Sequence, residues 1–270
     1  MLLDGNKEAQ KILSDIKIKI EKDRVKPNLA ITRTQQTPPQ ITFTNSKKKT
    51  AEELGLECSI IDAGNNYSTE QLMELITKIS KEYNGILVQM PFPEGIDRYK
   101  VLNTVPYEKD VEGLGRCRMG ELEQKVTEIY SPVAKAAFHA IKIGLDGKSL
   151  EGKTATIVGN SYLLGRPLTQ VLGHLGASVS VCDIYTEDLG AYTKNADIVI
   201  SGTGQIDLIQ PEMVKEGVIA IDTGYEVDSE GKRRGDMSQE ISEKASLFTP
   251  VPGGIGPLTV AFIFDNLLKL

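Results

Sequence analysis

The chain is poor in the residues that build metal centres. Cys58, Cys117 and Cys182 are its three cysteines, and His139 and His174 its two histidines, in 270 residues. None sits at metal-ligand spacing, which excludes a zinc-finger-like centre. An odd, scattered cysteine set also fits a reduced intracellular compartment better than a disulfide framework. A basic excess is missing too. The net charge of −6 leaves nothing to neutralise runs of phosphate, so a general nucleic-acid binder is excluded, though a local nucleotide pocket is not. No apolar run approaches the roughly 20 residues that span a bilayer. The first residues, MLLDGNK, carry charge early and lack an apolar signal core. A cytoplasmic protein, away from membranes, is the expectation. Tandem repeats, low-complexity segments and long linkers are absent as well.

What is present is ordinary globular composition, 40% hydrophobic and 25% charged, in a chain long enough for two domains. Short apolar runs alternate with helical patterns. Residues 7–22 carry Ala9, Ile12, Leu13, Ile16, Ile18 and Ile20 at helical spacing. Strands are expected at 29–32, 58–61 and 85–90, the last stopped by Pro91. Between them, a helix is expected over 47–54, ended by Gly55. Another should start at Ser68, with Gln71 completing a capping box, and run to about Tyr83. The pattern restarts after Ser131, with strands expected at 154–158, 178–182, 198–201 and 218–222 and a terminal helix over 258–270. Strands this short and β-branched suit a parallel sheet covered on both faces. The expectation is a two-domain α/β protein with a cleft between the domains.

A glycine turn marks a candidate nucleotide site. Residues 158–167, VGNSYLLGRP, fall between a strand and a helix. Gly159 permits a tight turn and close ligand approach, and the helix behind it offers unpaired N–H groups to phosphate. Pro167 suits a first helical turn. The spacing is not G-x-G-x-x-G, and a turn that only packs strand on helix is the other reading. Asp183 follows about 20 residues on, where a carboxylate accepts ribose hydroxyls and repels a 2′-phosphate. By itself that favours NAD, although a solvated turn aspartate reads the same way.

Four strings in order carry a resemblance: GILVQMPFP at 85–93, KDVEG at 109–113, the 159–167 loop, and TPVPGGIGPLTVA at 249–261. Together they resemble the methylenetetrahydrofolate dehydrogenase/cyclohydrolase family over almost the whole chain, from LDG at 3–5 to the last helix. The resemblance implies a folate-binding catalytic domain, 1–132 plus 251–270, and a Rossmann-like NAD(P)-binding domain, 133–250. It implies tetrahydrofolate derivatives as substrates, NADP as cofactor and a homodimer. The catalytic lysine falls on Lys47, in FTNSK at 43–47, and the pterin-side glutamine on Gln89. Phe43, Glu112, Pro252, Gly253 and Gly256 take substrate-binding positions. Gly159, Asn160, Ser161, Ile184 and Tyr225 take cofactor positions, with Arg166 and Asp183 beside them.

The implied chemistry suits these residues. Hydride leaves a carbon flanked by two nitrogens that stabilise the cation, so oxidation asks for positioning rather than a base. Hydrolysis needs water deprotonated as it attacks, and Lys47 is the candidate to organise it if its pKa is lowered. Without the resemblance, Lys47 in a Lys47-Lys48-Lys49 run reads as a solvated helix lysine, Gln89 as a strand end, and Glu112 as a loop acid. Four departures stand out. Phe43 replaces a usual tyrosine and Glu112 a usual aspartate. Residues 32–40 lack the family's glycine turn. Asp183-Ile184 replaces a histidine followed by a polar residue. Family habit says NADP, with Arg166 to meet a 2′-phosphate, while Asp183 leans to NAD. Two other readings compete: a shikimate-dehydrogenase-like enzyme, disfavoured by 250–261 and the Gln89 strand, and a non-catalytic nucleotide-binding regulator, disfavoured by Lys47 and Gln89.

Overall fold

A computed structural model describes residues 1–64 and 66–270. It divides into two compact units, Gln10–Tyr130 with Val260–Leu270, and Met1–Ala9 with Ser131–Thr259. Each is built on a parallel sheet.

Helix α1 (Gly5–Asp23) leads into β1 (Leu29–Arg33), α2 (Pro38–Glu53), β2 (Cys58–Asp62), α3 (Thr69–Ile79) and β3 (Gly85–Gln89). The three strands pair in the order β2-β1-β3, all parallel, so Arg33 stands level with Asp62 on one side and Gln89 on the other. Helix α3 begins where the sequence put it. The Ser68 hydroxyl accepts the Gln71 N–H at 3.2 Å, and the Gln71 side chain accepts the Ser68 N–H at 2.8 Å. It ends at Ile79, four residues short of the expected stop.

Helix α2 corrects the sequence reading by starting at Pro38 rather than Lys47. Pro38 and Pro39 occupy its first turn, where a missing N–H costs nothing. Its buried face carries Gln40, Thr44 and Lys47 before Ala51, so no apolar period announces the first three turns. Short helices α4 (Arg98–Leu102) and α5 (Arg116–Glu123) flank a single turn at Tyr107–Lys109.

The second unit opens with α6 (Pro132–Leu145), then β4 (Thr154–Val158), α7 (Gly165–His174), β5 (Ser178–Cys182), α8 (Leu189–Thr193), β6 (Ile198–Ser201) and β7 (Ile219–Asp222). A small hairpin, β8 (Glu226–Val227) with β9 (Arg233–Arg234), precedes β10 (Leu247–Phe248). The sheet order is β10-β7-β6-β4-β5, all parallel. Strands β4, β5 and β6 coincide with their expected spans, because β-branched runs between turn residues leave little choice of boundary. By their contacts, residues Met1–Ala9 group with this unit. The reason is local: Phe248 accepts the Leu3 N–H and Gly253 accepts the Gly5 N–H, each at 2.9 Å.

The chain ends in α9 (Ile255–Leu267), whose later residues complete the first unit's core. Phe264, wholly buried, packs with Leu29, Ile31, Leu87 and Val111. Among the described residues no helix is long and apolar enough to cross a membrane. Phe264→Ala should therefore cost about 3–5 kcal/mol, transfer and cavity together. Urea titration of the variant checks this, and a loss under about 1 kcal/mol would deny α9 its place in that core.

Candidate active site

The polar face of α2 lies against the carboxyl end of the first sheet, the end at which parallel α/β sheets bind ligands. Lys47 is buried, at 7% exposure, whereas Lys48 and Lys49 are exposed. Its Nζ donates to Gln89 Oε1 at 2.5 Å. The Gln89 Nε2 donates in turn to Met90 O at 2.8 Å, which turns the amide so that its oxygen faces the lysine. Burial holds the Lys47 pKa below the usual lysine range, against the opposing charge of Glu112. Glu112 is partly buried, and its carboxyl is pushed up to about 7 by burial and by Asp110, while Lys47 and the Val88 N–H pull it down. Lys47, Gln89 and Glu112 thus form one electrostatic cluster in which both ionisable groups are driven towards neutrality. Phe43 lies one helical turn before Lys47, half-buried.

Sequence reasoning missed the neighbour of this cluster. Arg33, at the end of β1 and level with Gln89, forms an ion pair with Asp62 at 2.7 Å and reaches Thr44 Oγ1 at 3.4 Å. Gln36 also donates to Asp62, at 2.8 Å. The strand reading stopped at Thr32, and a single arginine after an apolar run carries no signal of its own. Asp110 was missed likewise. It is 4% exposed and accepts the Gly115 N–H at 2.7 Å.

In the second unit the glycine turn is tight. Gly159 has φ 108°, and a Cβ there would lie 2.9 Å from Gly202 O. At Gly165, which opens α7, a Cβ would lie 2.2 Å from Gly159 O. Strand end, turn and helix start are pressed together. Ser161 Oγ accepts the Leu164 N–H at 3.1 Å, and Asn160 is exposed beside it. Arg166 is exposed in the first turn of α7, its guanidinium 5.8 Å from the Tyr162 ring. Gly159 N–H donates to Cys182 O at 2.9 Å, which sets the loop beside the end of β5. There Asp183 is exposed, with Oδ1 accepting the Tyr185 N–H at 3.0 Å, and Ile184 is 81% exposed. Tyr225, half-buried after β7, has the Arg233 guanidinium 5.8 Å from its ring. The free N–H groups expected at the start of α7 are mostly taken, Arg166 N–H donating to Ser161 O and Leu168 N–H to Leu164 O, each at 3.0 Å, with none on Pro167. The exposed Asn160 and Arg166 are therefore what this turn offers a dinucleotide phosphate.

Two buried carboxylates hold the adjoining turns. Asp236 accepts the Ser201 hydroxyl at 2.7 Å and the Thr203 N–H at 2.6 Å. Asp222 accepts N–H groups of Gly224, Asp236 and Met237 at 2.9, 3.1 and 2.9 Å. Pro252, Gly253 and Gly256 belong to this same unit. Gly253 has φ 102°, a conformation that suits glycine, while a Cβ on Gly256 would meet nothing within 4 Å. The unit itself therefore makes no demand for glycine at 256.

Fold and sites define a dinucleotide-binding α/β protein that carries a second, lysine-centred polar site. The model of the tetrahydrofolate dehydrogenase/cyclohydrolase catalytic domain matches residues 3–112, and that of the corresponding NAD(P)-binding domain matches 132–270. The bifunctional protein FolD of Aquifex aeolicus is 37% identical, over 100% of this chain and 94% of the relative. The crystal structure of the bifunctional FolD enzyme from Campylobacter jejuni superposes with TM-score 0.93 at 35% identity, covering 100% of this chain and 97% of that one. The Trypanosoma brucei enzyme, complexed with NADP and inhibitor, gives TM-score 0.92 at 26% identity, covering 100% and 96%. The chain belongs to the tetrahydrofolate dehydrogenase/cyclohydrolase family. A shikimate 5-dehydrogenase from Thermus thermophilus shares the fold alone, at 16% identity and TM-score 0.55 over 90% of this chain and 94% of that one.

The Asp222 carboxyl is pushed up to about 7, first by burial and then by Asp236, against its three N–H donors. A raised folded-state value means that the proton favours the fold. The contribution is complete below the unfolded value of roughly 4. It is lost as pH rises through about 7. Melting temperatures of wild type and Asp222→Asn should therefore converge below that window and separate across it, the wild type falling more steeply. Parallel pH profiles would show that Asp222 titrates normally.

Proposed function

We propose that this protein oxidises 5,10-methylenetetrahydrofolate to the methenyl form with a nicotinamide dinucleotide, and then hydrolyses that product to 10-formyltetrahydrofolate. The observation that carries the reading is the Lys47 Nζ to Gln89 Oε1 bond at the sheet end, with Glu112 coupled to the same lysine. When bound, the dinucleotide takes the hydride from the methylene carbon. The chain's own part in that step is to hold the pterin. Glu112, as carboxylate, accepts a pair of hydrogen bonds from the pterin amino group and ring nitrogen. Phe43 offers a ring face, without the hydroxyl of a tyrosine. The family resemblance gives Pro252, Gly253 and Gly256 substrate-binding positions as well.

Hydrolysis leans on Lys47. Water adds to the amidinium carbon and sheds a proton; the carbon–nitrogen bond then breaks as that nitrogen gains a second. The remaining hydroxyl gives up its own proton to solvent as the formyl C=O forms, so that one proton is released overall. A buried lysine whose pKa has fallen takes the first proton and returns the second. Gln89 holds the Nζ in place for both transfers.

For the cofactor, NADP is the primary reading. Gly159, Asn160 and Ser161 take the phosphates, Ile184 and Tyr225 flank the dinucleotide, and the exposed Arg166 meets the 2′-phosphate. The NADP complex of the Trypanosoma brucei relative supports this. A specific observation favours NAD as the second reading: the exposed Asp183 carboxylate at the end of β5, suited to ribose hydroxyls. A homodimer in the cytoplasm belongs to the same proposal and rests on the family resemblance.

Two measurements test this. Lys47→Met should keep hydride transfer within about tenfold while methenyl hydrolysis falls at least about a hundredfold, the range of general acid–base contributions. Equal survival of both activities would remove Lys47 from the mechanism. Arg166→Gln should lower kcat/KM for NADP by about tenfold, the scale of one charge-assisted contact, and leave NAD unchanged. An equal effect on both cofactors, or wild-type preference for NAD, would turn the assignment to the Asp183 reading.

A further inference from the structure

Glu112 stands on a short loop whose other residues are all fastened. Lys109 donates through Nζ to Ser80 O at 2.5 Å and Tyr83 O at 2.8 Å. Asp110 bridges to Ile86 of β3, and its carboxylate takes the Gly115 N–H at 2.7 Å. Its backbone carbonyl accepts the Gly113 N–H at 3.3 Å. Gly113 has φ 62°, and a Cβ there would sit 2.5 Å from Tyr130 Cα and 2.9 Å from Ile129 O. That leaves Val111, wholly buried and immediately before Glu112. Its carbonyl is held from far along the chain. Asn266, on α9 and 0% exposed, donates through one Nδ2 to Val111 O at 2.8 Å and to Tyr130 O at 2.9 Å.

We propose that Asn266 is the positioning residue for Glu112, fixing through the Val111 carbonyl the direction in which the carboxylate leaves the loop. The amide is suited to this because its nitrogen carries two donors in one plane. A single group thereby staples two backbone segments, one on each side of Gly113. The bond to Val111 is buried and that to Tyr130 partly so, and at Val111 in particular no water can replace a lost donor. The staple also matters for the side chain it serves. Glutamate has one more rotatable bond than aspartate, so a loose backbone beneath it would spread the carboxylate over a wider volume. Asn266 itself touches neither substrate nor reacting atoms in this assignment, which rests on the reading that Glu112 binds the pterin.

The test is a steady-state comparison of full-length Asn266→Ala, Asn266→Ser, Glu112→Gln and the double variant Asn266→Ala/Glu112→Gln, each with methylenetetrahydrofolate and cofactor varied separately. Asn266→Ala should raise the folate KM by about tenfold, the scale of two lost hydrogen bonds in part compensated, with the cofactor KM unchanged and kcat within about threefold. Asn266→Ser, which keeps one donor, should fall between it and wild type. Should the alanine variant fail to fold, the serine variant carries the same comparison. In the Glu112→Gln background, removing the Asn266 amide should add less than about twofold, because one residue acts through the other. A rise in both KM values together, or full additivity in the double variant, would make Asn266 a plain structural residue and overturn the proposal. If Glu112→Gln alone left the folate KM at its wild-type value, the pterin-binding role of Glu112 would fail, and the positioning role with it.

Discussion

A lysine ammonium removed from water is among the most costly groups a small domain can hold, and Lys47 is 7% exposed. The structure meets that cost with two neighbours rather than one. Gln89 accepts a hydrogen from the Nζ at 2.5 Å, a neutral partner that does not bind the charge tightly. Glu112 supplies opposite charge in the same enclosure, yet is itself pushed up to about 7. A lysine paired with an ordinary exposed carboxylate would stay protonated and inert. One left alone would lose its proton without direction. Between these limits lies a lysine whose burial lowers its pKa while the Glu112 charge opposes the shift.

Much of the first unit follows from keeping that cluster together. Helix α2 turns polar side chains inward for three successive turns, and Gln40 donates to Pro91 O at 2.7 Å just beyond β3. Arg33 answers Asp62 across the neighbouring strand, so the sheet end carries its own charge balance beside the lysine. The loop bearing Glu112 is fastened through its backbone from both sides. The nucleotide-binding unit solves a different problem by a different means. There Gly159, Gly165 and Gly202 let strand end, turn and helix start approach so closely that a Cβ on any of them would collide with its neighbours. Of its buried carboxylates, Asp222 accepts three N–H groups of the turns, while one oxygen of Asp236 accepts the Ser201 hydroxyl and the Thr203 N–H.

Legibility differed between these two kinds of site for a physical reason. Glycine turns between a strand and a helix are local, and so are capping boxes. The 158–167 loop and the Ser68–Gln71 pair could be read directly, and the structure has both. Strands β4, β5 and β6 were legible because short β-branched runs between turn residues fix their ends, whether the strand is buried, like β4 and β6, or at the sheet edge, like β5. The start of α2 was not, since a helix whose buried face is Gln40, Thr44 and Lys47 shows no apolar period. Asn266 gave no signal either. Its partners stand 155 and 136 residues away, and only a closed chain brings them within reach.

The amino-acid order alone determined the α/β class, the spans of β4, β5 and β6, the glycine turn after β4 and, through four strings in sequence, the family. These depend on interactions between residues close in the chain, where residue type already implies geometry. Tertiary structure decided which of three consecutive lysines is buried, what Gln89 faces, and how Glu112 comes to share the enclosure of Lys47. Burial and charge coupling are properties of distance in space, and segments 42 residues apart in sequence acquire that distance only when the sheet and helix have packed.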